Sequence, residues 1–129
     1  MKGRTLFLPA ALCAASCLLL ASCGGTRRVT EDDKIEHLLS YVASLKGADF
    51  VRDGHDMNPE QAAAYLRQQW QAKRAEIRTA QDFIRVAASF SPESGTAYFV
   101  RFKDGGEEMC GDHLRAELRR YEQEIWRKS

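Results

Sequence analysis

The chain has 129 residues, a formal net charge of +1 at pH 7, and acidic and basic residues that are interleaved along its length. This length accommodates one compact domain rather than two. A near-neutral charge balance gives no basic surface of the kind that nucleic-acid-binding proteins use, so we expect no nucleic-acid partner.

The first 22 residues have the pattern of a secretory signal peptide. Lys2 and Arg4 precede an uncharged, mostly apolar run from Leu6 to Ala21, and a basic segment followed by an apolar one is typical of such signals. The run has 16 residues, whereas a membrane-spanning helix needs about 20. We therefore expect residues 1–22 to be removed, which leaves 107 residues and, without the two cations, a net charge of −1.

The end of this segment, Leu20-Ala21-Ser22-Cys23, resembles the lipobox of bacterial lipoproteins. In that family the cysteine sulfur receives a diacylglycerol, and cleavage just before it makes the cysteine the new N-terminus. The resemblance implies that acyl chains on Cys23 anchor the protein stably in a membrane, with residues 23–30 as lipidated N-terminus and short tether. Gly24 replaces the aspartate that retains such lipoproteins in the inner membrane, which implies the periplasmic face of the outer membrane.

Three helices are predicted in the first two thirds of the remaining chain. Apolar residues recur at helical spacing after Thr30, which predicts a helix over about residues 31–46 with Thr30 as its cap. Asn58 and Pro59 predict the start of a second helix that ends near residue 75. Thr79 is the predicted cap of a third, shorter helix.

Strands and a final helix are predicted around and after these helices. Residues 50–52 predict a brief strand, and residues 97–102 and 107–110 predict a hairpin around the Asp104-Gly105-Gly106 turn. Asp112 is the predicted cap of a last helix with an apolar seam. We therefore predict a helix-dominant α+β domain over residues 31–129, with about four helices and a small β-hairpin before the last one.

Several phrases in order along the chain resemble a family of short bacterial envelope proteins known only as a domain of unknown function. The chain departs from the family pattern at Asp49, where a cysteine is frequent, and at His113, where a tryptophan is frequent. The resemblance implies a shared fold and an envelope location, but it brings no activity. The matching phrases are residues 50–54, 62–67, 79–84, 94–101 and 114–118.

Two polar segments, residues 52–56 and 91–95, are candidate recognition sites, because loops between packed elements commonly carry binding residues. Outward guanidinium groups at strand positions can bind a carboxylate or a phosphate. The alternative is that Asp53-Gly54 and Ser94-Gly95 only turn the chain and that Arg52 pairs with a neighbouring acid. The candidate binding residues are Arg52, Asp53, His55, Ser94 and Arg101.

Cys110 and His113 are candidates for a reactive thiol and its base, because the amides at a helix start lower a thiol pKa. The alternative is that Cys110 is a small buried residue. The three histidines, His37, His55 and His113, show no ligand spacing, so we predict no metal site and no cofactor.

The sequence as a whole favours a lipid-anchored periplasmic protein that acts by binding, as an adaptor near the membrane with an envelope protein as partner. An envelope thiol enzyme or redox protein that uses Cys110 with His113 is the alternative.

Overall fold

The computed structural model describes residues 27–129, so the predicted signal peptide, Cys23 and residues 24–26 of the tether lie outside the described residues. The helices of the described part are α1 (Glu31–Ser44), α2 (Pro59–Ala72), α3 (Ala80–Ala87) and α4 (Cys110–Lys128). The strands are β1 (Asp49–Arg52), β2 (His55–Met57), β3 (Phe99–Arg101) and β4 (Glu107–Met109). The prediction of a helix-dominant α+β fold is confirmed.

The starts of the first three helices are those that their capping residues predict. Thr30, Asn58 and Thr79 each accept a side-chain hydrogen bond from the backbone N–H three residues later, and the side chain at that later position accepts one from the backbone N–H of the cap. Each reciprocal pair satisfies two N–H groups that a helix start otherwise leaves without partners. Because this chemistry is local, the sequence alone was sufficient to place these starts.

The prediction that Asp112 caps the last helix is wrong. The helix α4 already begins at Cys110, and Asp112 lies in its first turn, where it accepts a hydrogen bond from Arg115 at 2.9 Å. The early start follows from packing, because the Cys110 N–H donates to the Tyr98 carbonyl at 2.8 Å. A Cβ on the buried Gly111 would lie 2.5 Å from the Ser89 hydroxyl, so only glycine permits this close approach.

Two helices end before the predicted residues. The helix α1 ends at Ser44 rather than near 46, and α2 ends at Ala72 rather than near 75. After α2 the chain turns, with the Ile77 N–H donating to the Lys73 carbonyl at 3.1 Å. This turn brings Ile77 into the core, where it is buried.

The strands form one antiparallel sheet in the order β2-β1-β3-β4. The predicted hairpin before the last helix is β3–β4, and the structure adds the strand β2 and the pairing of β1 with β3. Residues directly opposite each other share a face, so Phe50, Met57 and Val100 lie on the inner face, against the helices.

The core lies between this inner face and the four described helices. Its largest fully buried side chains are contributed by α1, α3, α4 and β3. Within residues 27–129, no helix has the length and apolar character needed to cross a membrane. The fully buried aliphatic and aromatic side chains include Ile35, Leu38, Leu39, Phe83, Ile84, Val100, Leu114 and Leu118.

Candidate functional site

The tip of the β1–β2 hairpin is held against the loop of residues 91–95. Asp53 and Gly54 both have positive φ, 49° and 80°, as expected for the two central residues of a tight hairpin turn. The Asp53 carboxylate accepts hydrogen bonds from the Ser94 hydroxyl and, at 2.7 Å, from the Ser91 hydroxyl. The hydrogen bond from Ser94, followed by that from Ser91, holds the pKa of Asp53 below its usual value. The predicted binding residues Asp53 and Ser94 therefore meet, but they use each other as partners.

Arg52 does not project outward as predicted. Residue 52 shares a face with Phe50, two positions earlier, so its side chain lies on the helix side of the sheet. The guanidinium carbon lies 4.3 Å from the centre of the Tyr65 ring, a cation–π contact, and Nη1 donates to the Tyr65 hydroxyl at 3.4 Å. The Arg52 Nε is buried, and the described residues offer it no hydrogen-bond partner.

Tyr65 links Arg52 to Tyr98 in the same polar layer. The two tyrosine hydroxyl oxygens lie 3.0 Å apart, and the rings contact edge to face. Burial, followed by the hydrogen bond with Tyr65, raises the pKa of Tyr98 well above its usual value. A tyrosine with a raised pKa stays protonated at neutral pH, so this layer acts as a packed hydrogen-bonded support for the hairpin.

The other two predicted binding residues do not take part in the Asp53–Ser94 contact. His55 is exposed on the edge strand β2, opposite Arg52 in the register. Arg101 projects from the opposite face of the sheet, where its Nη1 donates to the Asp56 carboxylate at 3.2 Å. The five predicted residues therefore do not converge on one pocket.

The alternative of a reactive Cys110 thiol with His113 as its base does not fit the structure. Cys110 is 1% exposed, and burial raises the pKa of its thiol to about 12. Both ring nitrogens of His113 have other partners, Nδ1 the Glu108 carboxylate and Nε2 the Tyr41 hydroxyl at 2.9 Å. A buried, protonated thiol without a base is not a nucleophile, so the arrangement favours the reading of Cys110 as a core residue.

A buried carboxylate that joins α1 to α4 was not foreseen from the sequence. Glu117 is only 6% exposed, accepts a hydrogen bond from His37 Nε2 at 2.7 Å, and receives Nε and Nη2 of Arg120, both at 2.8 Å. The hydrogen bonds from Arg120, and then that from His37, lower the pKa of Glu117. The sequence feature that could have revealed this site is the acidic residue Glu117 beside Leu118 in the apolar seam of the last helix.

The face of the sheet turned away from the helices is the feature with the clearest capacity for recognition. We call it the outer face. Phe90 and Met109, on this face, are two of the three exposed large apolar residues of the described chain, at 50% and 38% exposure. The alternation of inward and outward side chains along each strand is the sequence signal that could have indicated this face. By the strand register, the outer face consists of Asp49, Val51, Asp56, Phe99, Arg101, Glu107 and Met109, extended by the bridged pair Phe90 and Ala97.

Two open grooves occur in the described part, one of about 320 Å³ beside Phe102 and one of about 470 Å³ beside Tyr121. Within residues 27–129, no three histidine, cysteine or acidic side chains are grouped closely enough to hold a metal ion. The outer face is therefore the strongest candidate for a binding surface in the described part.

Comparison with known proteins gives a family but no activity. The chain is 34% identical over 88 residues to the uncharacterized protein YfeK of Salmonella typhimurium, a match that covers 67% of this chain and 73% of that protein. No solved structure matches the chain. The sequence profile of the family of unknown function DUF5329 matches residues 29–122. The chain therefore belongs to the DUF5329 family.

Proposed function

We propose that this protein is a lipid-anchored binding domain of the bacterial envelope, an adaptor that recognises an envelope protein through the outer face. The observation that carries the proposal is that all the described helices pack on the inner face, so apolar side chains of the outer face stay open to contact. Exposed apolar patches with a polar rim commonly mark interaction sites.

The residues of the outer face define the chemistry of the partner. Its centre is apolar, with Val51, Phe99 and Met109 side by side across three strands. Its charged positions are three acids and one base, Arg101, which is already paired with Asp56. A complementary partner surface has an apolar centre and a basic rim, since opposite potentials favour the correct encounter.

The proposed anchor rests on the resemblance of Leu20-Ala21-Ser22-Cys23 to a lipobox. Residue 27, where the described chain begins, is four positions after Cys23. An anchor there would keep the domain close to the membrane, on the periplasmic face of the outer membrane by the same resemblance. In this setting a partner surface of modest affinity gains from a high local concentration.

The anchor is tested by fractionation of cells that express the full chain. We expect the wild type to sediment with membranes and the Cys23→Ser variant to appear in the soluble periplasmic fraction. The matched control is Cys17→Ser, which alters a cysteine of the same signal but leaves the lipobox intact. Membrane association of Cys23→Ser equal to that of the wild type would refute the anchor.

The partner surface is tested by photo-cross-linking in living cells, with a photoreactive residue at position 109. We expect one recurring envelope protein, which Phe90→Lys should eliminate by placing a cation against the basic rim. Ala64→Lys adds the same charge at an exposed position of α2 and should leave the cross-link unchanged. Equal cross-linking by the wild type, Phe90→Lys and Ala64→Lys would refute the assignment of the outer face as the partner surface.

A further inference from the structure

Arg52 is a partly buried cation that has no acidic partner in the described chain. Within residues 27–129 its guanidinium forms no salt bridge, and its hydrogen bond to the Tyr65 hydroxyl is long, at 3.4 Å. Nε is buried without a partner, whereas Nη2, which has no partner in this part of the chain either, is not buried. Arginine side chains that leave water are normally paired, because a charge without an acceptor is costly. The guanidinium is therefore an unsatisfied donor that remains open at one nitrogen.

The Tyr65 hydroxyl also has a hydrogen atom left to donate. Tyr98 is 5% exposed, and the partner of its hydroxyl among the described residues is the Tyr65 hydroxyl, 3.0 Å away. Because a buried O–H without an acceptor is costly, Tyr98 is the donor of this pair. The Tyr65 oxygen therefore accepts hydrogen bonds from Tyr98 and from Arg52. Its own O–H has no acceptor in the described chain.

The acids around these donors do not occupy them. Asp53 follows Arg52 in the chain, but its carboxylate accepts hydrogen bonds from two serine hydroxyls. Asp56 lies on the outer face, where it binds an arginine of β3. Glu60 and Glu93, on the neighbouring segments, are exposed and form no salt bridge with Arg52 in the described structure. The α2 positions one turn before and after Tyr65 are uncharged, namely Gln61, Ala62, Gln68 and Gln69.

We propose that Arg52 and Tyr65 bind an oxyanion group of a ligand, a carboxylate or a phosphate, on the inner side of the β1–β2 hairpin. The terminal nitrogens of a guanidinium match two oxygens of such a group, and charge-assisted hydrogen bonds of this kind are strong. The Tyr65 O–H provides a further donor. His55 is exposed and lies directly opposite Arg52, so it shares this face and borders the site. We call Arg52, His55 and Tyr65 the hairpin site.

The hairpin site is distinct from the partner surface that we propose on the outer face. Arg52 lies on the helix side of the sheet, so a ligand there leaves the opposite face free. The ligand supplies the acceptor that the described chain does not offer to these donors. Because the site is open to water on one side, a bare anion is partly screened. We therefore expect small anions to bind with dissociation constants in the millimolar range.

The test is an NMR titration of the chain from residue 23 onward, with Cys23→Ser so that no lipid is needed. This chain keeps every core residue, since the core lies between Ile35 and Leu118. The probes are inorganic phosphate and acetate, each added at a constant ionic strength that is set with sodium chloride. The reporters are the Tyr65 ring and the Arg52 Nε–H, which is protected from water because it is buried.

We expect at least one of the two anions to shift both reporters along a saturating curve. The ratio of the two dissociation constants then shows whether the site prefers a carboxylate or a phosphate. Arg52→Lys keeps the charge but lacks the paired nitrogens, so binding followed at the Tyr65 ring should weaken about tenfold. Tyr65→Phe removes only the hydroxyl and should weaken binding about fivefold. The control Arg101→Lys makes the first change on the outer face and should bind as the wild type does.

Shifts that do not saturate, or that sodium chloride alone reproduces, would overturn the proposal, because they would report only general screening. Equal affinity in the wild type, Arg52→Lys and Tyr65→Phe would also overturn it. The amide spectrum shows whether each variant is folded, and the two variants alter different side chains, so either one suffices as the test. Phe90→Lys should still bind the anion, so failure of the proposed partner surface and failure of the hairpin site are distinguishable.

Discussion

Replacement of Glu117 by glutamine keeps the size of the side chain but removes the charge of the buried carboxylate that pairs with Arg120 and bonds to His37 of α1. Hydrogen bonds to charged groups contribute about 1.5–3 kcal/mol, and the loss of one partner from a fully buried ion pair costs about 3–5 kcal/mol. Glu117 is buried, but Arg120 is 56% exposed and can turn to water. We therefore expect the free energy of unfolding at pH 7 to fall by about 2 kcal/mol.

The contribution of Glu117 to the free energy of unfolding depends on pH, in a direction set by its pKa. The pKa of Glu117 is lowered in the folded state, so the contribution is complete above the unfolded value of about 4.3. It disappears as the pH falls through the folded pKa, because protonation removes the charge that Arg120 and His37 recognise. The stability gap between the wild type and Glu117→Gln should therefore be largest near pH 7 and shrink below pH 4.

Urea unfolding followed by circular dichroism, at pH 7 and again at acidic pH, measures both quantities. In thermal unfolding, about 2 kcal/mol corresponds to a decrease in Tm of roughly 10 °C for a domain of this size. Glu93→Gln, which neutralises an exposed carboxylate in the 91–95 loop, is the matched control and should change little. A gap between wild type and Glu117→Gln that stays constant from pH 7 to acidic pH would refute the electrostatic explanation.

Three further predictions concern the cap, the hairpin and the thiol. Asn58→Ala should lower the free energy of unfolding by about 1 kcal/mol through loss of the α2 cap, and an unchanged urea midpoint would contradict this. Gly54→Ala should cost about 1–2 kcal/mol, since φ is +80° and no neighbour lies within 4 Å to add a clash; equal stability would show that the turn adapts. Cys110 should resist thiol labelling at pH 8 until urea unfolds the domain, and rapid labelling of the native protein would disprove its burial.

The sequence was informative where the governing interactions are local. The caps of α1, α2 and α3 depend on side chains three residues apart, and all three were predicted. The start of α4 depends on the hydrogen bond from the Cys110 N–H to the Tyr98 carbonyl and on the close approach of Gly111 to Ser89. Those contacts join distant parts of the chain, so the local capping signal of Asp112 was misleading.

For the candidate binding residues too, local features could be predicted from the sequence, whereas contacts between distant parts of the chain could not. Asp53 and Ser94 were recognised as turn residues, but their mutual hydrogen bond joins positions that the sequence separates widely. Arg52 was expected to point outward, although its spacing from Phe50 places both on one side of a strand. The outer face could not be predicted as a unit, because it requires the register between β1 and β3.

The strand register of the outer face joins residues that lie far apart in the chain. Val51 pairs with Phe99 across a stretch of chain that contains α2 and α3, and Phe99 pairs in turn with Met109. Long-range strand pairing of this kind forms slowly, since a large loop must close before the contacts stabilise it. The outer face is therefore complete only once β4 has paired with β3, and a partner that binds it in the way we propose would engage only fully folded molecules.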